Sequence, residues 1–276
     1  MSVLLGINEM KEISNAMTLK TGYPFDDFLQ SFLKRRLTIY LEKFHIRQLE
    51  QFIKQLGSKL FLESLLYYLP VVTTEMFRDP GFWRSLKSNV LNNNVIQNNP
   101  VWFPDIASGE ELYSFLIFLE LTNADFRPEV FFHHPSSSRI DEVKSGIIRS
   151  KNIETYSNNF KRLELGGQFE TYCKMENNYM VVAENLISKL NPKKGWFLTE
   201  PLTQGFGLIF FRNTMLYMNK NLHEKTIQFL FNMLIPGGYL VIGVKERIPD
   251  SITGKFQVID EQEGIYRKPV LNNTLL

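Results

Sequence analysis

Two rhythms of apolar residues divide the chain, and they narrow its fold more than any other feature. Phe25, Phe28, Leu29, Phe32, Leu33, Leu37, Tyr40, Leu41 and Phe44 recur at three- and four-residue steps, the spacing that gathers side chains on one face of an α-helix. Ile46, Leu49, Phe52, Ile53 and Leu56 repeat the pattern up to Gly57, and Leu60 to Leu69 repeat it up to Pro70, both helix-ending residues. From about residue 100 the chain turns to short apolar runs between helical stretches: Val101 to Phe103, Glu129 to Phe132, Trp196 to Leu198, Gly207 to Phe211 and Tyr239 to Val244. That alternation predicts a mostly parallel sheet with helices on both faces. A small all-helical domain over residues 1–72 and an α/β domain over residues 73–276 are therefore expected.

Within the α/β part, Glu110 to Leu121 and Leu222 to Leu234 are the clearest helices. Pro236, Gly237 and Gly238 are expected to end the second and lead straight into a strand. A small β insertion is predicted near residues 166–183, where Gln168 to Lys174 and Tyr179 to Ala183 flank Asn177 and Asn178. The asparagine-rich stretch Asn89 to Pro100 is expected to be a linker loop.

With 276 residues, 44% of them hydrophobic, the chain can bury a core large enough to offset its conformational entropy. No uncharged apolar run reaches the roughly 18 to 20 residues of a membrane span, and the N-terminus has no basic start followed by an apolar stretch. A cytoplasmic protein without membrane insertion is expected. Cys173 is the single cysteine, so neither an intrachain disulfide nor a cysteine-based zinc site can form, and it is expected to be a small half-buried strand residue. A balance of 31 basic against 29 acidic residues gives +2, which argues against nucleic acid as partner.

In a parallel sheet the ligand sits beyond the carboxyl ends of the strands, here the loops after Phe103, Phe132, Leu198 and Phe211. Glu110 and Glu111 open a helix, where two carboxylates suit the helix dipole but repel a phosphate, so a cationic ligand fits better than a nucleotide phosphate. No phosphate-binding P-loop, His-Glu-x-x-His or Gly-x-Ser-x-Gly motif occurs, and the adjacent His133 and His134 cannot chelate as a helical i, i+4 pair, so no metal is expected.

Three motifs in order carry a resemblance: Thr73-Thr74-Glu75-Met76-Phe77-Arg78-Asp79-Pro80, Trp102 followed by Gly109-Glu110-Glu111-Leu112-Tyr113-Ser114, and Phe211-Arg212-Asn213-Thr214-Met215-Leu216-Tyr217. With the Phe32 to Leu37 helix and the Pro236 to Leu240 turn, the chain from about Gly22 to Lys268 resembles the CheR family of chemotaxis receptor methyltransferases. The last strand pair, the run ending at Val244 and the one around Gly264 to Arg267, is expected to be antiparallel. The resemblance implies a Rossmann-like domain dependent on S-adenosylmethionine (SAM), preceded by a small helical domain. It implies methyl transfer from SAM to glutamate carboxylates of chemoreceptors, leaving S-adenosylhomocysteine. The N-terminal domain, with its Lys34-Arg35-Arg36 run, would face the receptor's cytoplasmic helices, and the chain would act as a monomer.

Carried over residue by residue, Thr74 and Arg78 match the contacts to the cofactor's methionine end, and Tyr217 matches the tyrosine near the transferring methyl. Arg78 and Tyr217 are the expected catalytic pair. Asp105, Ser108, Gly109, Glu110 and Glu111, then Arg212 and Asn213, are the expected cofactor-binding loops. His134 and Leu202 complete the set. The pattern departs from the family at Asp105, which replaces a glycine, at His134, which replaces an acidic residue, and at Pro201, which replaces an asparagine. Losing those two polar contacts predicts a weak SAM site, and a catalytically degenerate binding or regulatory module is the alternative. Outside the motif context, Arg78 paired with Asp79 and Tyr217 as packing are the plainer readings.

Overall fold

The apolar faces of the first seventy residues close on one another. A computed structural model describes residues 5–70, 74–148, 152–176 and 179–270. Four helices come first: α1 (Ile7–Thr21), α2 (Gln30–Lys43), α3 (Leu49–Gln55) and α4 (Lys59–Tyr68). The periodic residues Leu33, Leu37, Tyr40 and Leu41 of α2 are buried against Ile13 and Met17 of α1, Phe52 of α3 and Leu65 of α4. The first helix falls within the stretch expected to be all-helical, although its thin apolar stripe marks no run of its own; it stops at Gly22, whose left-handed φ of 74° lets its N–H reach the Thr18 carbonyl. Phe25–Asp27 is a 3-10 turn rather than the start of α2.

The Lys34-Arg35-Arg36 run does not act as one basic patch. Lys34 and Arg35 are exposed, but Arg36 turns back along α2 and donates to the carbonyls of Leu69 (2.7 Å), Tyr68 (2.6 Å) and Pro70 (2.7 Å). A guanidinium thus satisfies the orphan carbonyls at the end of α4. The expected boundary at residues 72 and 73 falls outside the described residues.

The rest of the chain builds a seven-stranded sheet. Its elements are α5 (Pro80–Leu86), α6 (Asn94–Gln97), β1 (Val101–Phe103), α7 (Glu110–Leu121), β2 (Val130–His134), α8 (Ser137–Ser145), β3 (Ile147–Ile148), α9 (Ile153–Lys161), β4 (Cys173–Glu176), β5 (Tyr179–Val182), α10 (Glu184–Ile187), β6 (Leu190–Lys194), β7 (Phe206–Phe211), α11 (Lys220–Met233), β8 (Leu234–Ile242), α12 (Asp250–Thr253), β9 (Gln257–Asp260) and β10 (Ile265–Arg267). The strand order is β6-β2-β1-β7-β8-β10-β9, parallel from β6 to β8, with β10 antiparallel to both its neighbours. This is a Rossmann-like α/β sheet preceded by helices, with the expected antiparallel pair at its end. Both faces are covered: Val101, Phe103 and Phe210 pack with Trp83 and Phe118 on one side, Trp102, Ile209 and Phe211 with Leu222 and Ile227 on the other.

Several sequence expectations need correction. Trp196 to Leu198 is not a strand but the turn after β6, which lies at the sheet edge and whose half-exposed Asn191 and Lys193 and exposed Lys194 hide its strand character. Asn89 to Pro100 is no open linker, because the helical turn Lys87–Leu91 and α6 occupy most of it, with Asn93 capping α6 through Val95 N–H. Pro236, Gly237 and Gly238 lie inside β8, where the register against β7 shifts between Phe206 and Leu208. A Cβ on Gly238 would sit 2.9 Å from the Phe206 carbonyl oxygen, so only glycine permits this approach. The β insertion is a three-stranded antiparallel sheet, β3-β5-β4, and its first run starts only at Cys173 because Phe169–Thr171 is a 3-10 turn; Asn177 and Asn178 lie outside the described residues.

The helical segment is fastened to the sheet at two places. Leu29 N–H donates to the Tyr217 carbonyl, and Asn219 N–H to the Asp27 carbonyl, each at 2.8 Å. On α4, Glu63 accepts from Ser136 Oγ (2.6 Å) and Ser138 N–H (3.0 Å) at the start of α8, and Tyr67 donates to Glu142 (2.7 Å). Among the described residues no helix is long and apolar enough to cross a membrane. Arg36→Met, which keeps the stem and removes the three charge-assisted bonds, is expected to cost about 1.5 to 3 kcal/mol in chemical denaturation, whereas Lys34→Met is expected to stay within about 0.5 kcal/mol.

Candidate functional site

The order of the strands places a crevice. From β1 the chain winds to β2 and β6 on one side of the sheet, then returns to β7 and β8 on the other, so the carboxyl ends of β1 and β7 diverge. An open cleft lies there. Its floor is the loop after β1 and the loop after β7; Thr74 and Arg78 flank it, and the helical segment roofs it with Tyr23, Phe25, Phe28, Phe32, Leu33 and Leu66.

The loop after β1 reaches α7 through Gly109, which has a φ of 98° and where a Cβ would stand 2.9 Å from the Tyr113 ring. Its two glutamates then have separate anchors. Glu110 is buried, accepting from Ser108 Oγ (2.5 Å) and more distantly from Tyr156 OH, and burial pushes its carboxyl up. Glu111 accepts from Arg212 Nη1 at 2.6 Å; burial raises its pKa while the guanidinium opposes the rise.

Arg212 is the cation that binds the floor together. Its side chain is wholly buried, pairing with Glu111 and with Asp79 Oδ2 (2.8 Å) and lying over the Phe82 ring at 3.9 Å. Next to it, Asn213 takes a left-handed φ of 60°, and the loop is held by Glu246, whose carboxylate accepts the N–H groups of Asn213 (2.8 Å), Met215 (2.7 Å) and Gly243 (2.7 Å). Phe77 and Asp79 also have positive φ, 52° and 56°, on either side of Arg78. Phe77 N–H is tied to Ser114 Oγ at 2.8 Å, so packing sets the turn that presents Arg78.

Arg78 and Asp105 stand apart from these ion pairs. Arg78 makes no ion pair among the described residues, because Asp79 is taken by Arg212. Asp105 is half-buried, accepts no hydrogen bond there, and burial pushes its carboxyl up to about 7. Tyr217 stacks on Phe32, ring centroids 4.1 Å apart.

Of the residues singled out in the sequence, Thr74, Arg78, Asp105, Gly109, Glu110, Glu111, Arg212, Asn213 and Tyr217 line this one cleft. Ser108, His134 and Leu202 do not. Ser108 serves Glu110 instead. His134 turns into the protein, where its Nδ1 accepts Ser136 N–H at 2.9 Å, and burial pushes its pKa down to about 3, so it is neutral. Leu202 packs against the apolar cluster around Trp102 and Phe206. Asp79, Glu246 and the aromatic roof were not identified as site residues from the sequence.

Residues 72–265 match the family model described as CheR methyltransferase, SAM binding domain. The chain belongs to the CheR family. Among the relatives of this CheR-family chain, the Cher3 protein of Pseudomonas putida is 24% identical over 94% of the chain and 96% of its own length. A chemotaxis protein methyltransferase of Vibrio parahaemolyticus is 22% identical over 97% of the chain and 98% of its own length. A chemotaxis protein methyltransferase of Listeria innocua is 22% identical over 78% and 81%.

The residues present suit SAM, the cofactor of this domain. Its methionyl end carries a carboxylate and two cations, an ammonium and a sulfonium, and the cleft offers Arg78 and Asp105, neither in an ion pair among the described residues, with the rim of Glu110. Tyr23, Trp196 and Ile106 supply apolar wall. Arg212→Met is expected to lose about 3 to 5 kcal/mol, since it strands Asp79 and Glu111 together, and adding Glu111→Gln should recover part of that loss; urea titration of the single and double variants measures both.

Proposed function

We propose that this CheR-family protein is a SAM-dependent carboxyl O-methyltransferase acting on glutamate side chains of chemoreceptors in the cytoplasm, residues 73–276 carrying the chemistry and residues 1–72 meeting the receptor. The supporting observation is the unpaired Arg78 in a cleft shared with Tyr217 and roofed by the helical segment. The Vibrio parahaemolyticus chemotaxis protein methyltransferase matches over 97% of the chain and 98% of its own length.

A glutamate acceptor is ionised at neutral pH, so its oxygen needs no base to become nucleophilic. When bound, SAM supplies a methyl on a sulfonium that such an oxygen can displace in line. Arg78 and the Tyr217 hydroxyl orient the carboxylates at the reacting end, and the Phe32 stack keeps the Tyr217 ring in place. Phe25, Phe28 and Leu66 keep that end dry, which favours a reaction in which opposite charges cancel. Receptor contact would use Lys34 and Arg35 of α2, since Arg36 is engaged with α4.

His134 favours a second reading, a receptor-binding module whose cofactor site has lapsed: no side chain from the end of β2 reaches the cleft to bond a ribose, and Pro201 has no polar side chain. Calorimetry with SAM, followed by transfer of labelled methyl to receptor fragments, decides between them. Saturable SAM binding with base-labile carboxyl methylation is expected; receptor binding without SAM binding would establish the second reading. Arg78→Met should lower kcat/KM about 100- to 1000-fold and Tyr217→Phe about tenfold, with folding unchanged.

A further inference from the structure

We propose that Asp105 is the counter-ion for a cationic group at the methionyl end of SAM, so that the cleft recognises that end through two opposed charges, Arg78 for its carboxylate and Asp105 for its cation. The inference rests on the reading of this cleft as the SAM site. Three carboxylates face the space, and two are already committed: Glu110 to Ser108 and Tyr156, Glu111 to Arg212. Asp105 alone has neither an ion pair nor a hydrogen bond among the described residues, and Arg78 is its counterpart among the cations. A zwitterion satisfies both at once; a simple anion or a neutral ligand leaves the half-buried carboxylate of Asp105 without a partner, which costs solvation.

The other walls bring nothing that could replace the ligand's cation. The turn before α5 contributes Arg78, which makes no ion pair with Asp105. The exit of β7 contributes Arg212, neutralised by Glu111 and Asp79, and Tyr217. The start of α8 contributes Pro135, and the helical roof contributes a phenol, Tyr23, among apolar side chains. Without ligand, the half-buried carboxyl of Asp105 is pushed up to about 7 by burial alone. It is mostly neutral at pH 6 and mostly ionised at pH 8. A cation beside it favours the ionised form, so binding below neutrality must expel the proton.

Between pH 6 and pH 7, where the ligand's own ammonium is still protonated, binding should therefore release about 0.9 proton at pH 6 and about 0.5 at pH 7, and Kd should tighten about fivefold. Calorimetry on the full chain, in buffers of different ionisation enthalpy, reads the proton directly, with no catalytic turnover. SAM and S-adenosylhomocysteine form the two arms, because the product keeps the ammonium and lacks the sulfonium charge. Release with both ligands assigns Asp105 to the ammonium, and release with SAM alone assigns it to the sulfonium. Asp105→Asn, with its thermal unfolding compared to wild type, should abolish the extra release and flatten the pH profile. A wild-type enthalpy independent of buffer, or an Asp105→Asn protein that keeps the release, overturns the assignment while leaving the SAM site standing. Failure of both ligands to bind at every pH overturns the SAM site and this assignment together.

Discussion

The buried guanidinium of Arg212 is the interaction on which the cleft depends. It stands at the end of β7, reaches Glu111 at the start of α7 and Asp79 before α5, and covers Phe82. Three loops distant in sequence are thereby fixed to one point at the carboxyl edge of the sheet. A buried ion pair is seldom a large net source of stability, because desolvating its members is costly. Here its value is geometric. By occupying Asp79 and Glu111 it leaves Arg78 and Asp105 outside any ion pair among the described residues.

The same edge holds backbone that would relax if released. Phe77, Asp79 and Asn213 all adopt positive φ, and each such residue costs about 1 to 2 kcal/mol. The anchors lie next to the strain: Ser114 holds Phe77 N–H, Arg212 holds the Asp79 carboxylate, and Glu246 collects three N–H groups around Asn213. Burial raises the Glu246 carboxyl while those N–H groups act against the rise. The strained turns are thus over-determined by groups from α7, β7 and the loop after β8.

What could be read in the sequence follows from where the information is local. Helix α7 coincides with the predicted Glu110 to Leu121, and β1 and β7 lie where short apolar runs stood between polar stretches, because both faces of those strands are buried. Strand β6 escaped notice since an edge strand with two lysines carries no such run. Nine residues of the site motifs line one cleft, but register does not say which way a side chain turns. His134 sits at the end of β2 as expected and then bonds its own neighbour Ser136, two residues on. Glu246 could not be found at all, being 33 residues from the Asn213 it supports with no motif around it. Likewise Arg36 looked like part of a charged surface until α4 folded back to offer its carbonyls.

The roof explains why a two-part chain is needed for one site. The sheet alone would leave Arg78, Asp105 and Tyr217 open to water, where a charge pair with a ligand contributes little. Helix α2 brings Phe32 onto the Tyr217 ring, and the preceding turn brings Phe25 and Phe28 over the floor. Leu29 and Asp27 are bonded to the backbone on either side of Met218, and Phe28 pairs with Met218 across the junction. The loop that carries Tyr217 is therefore also the loop on which the helical segment rests. Phe32 on α2 and the Tyr217 ring it stacks on are thus held by one junction, so the position of the helical segment and that of the ring are set together.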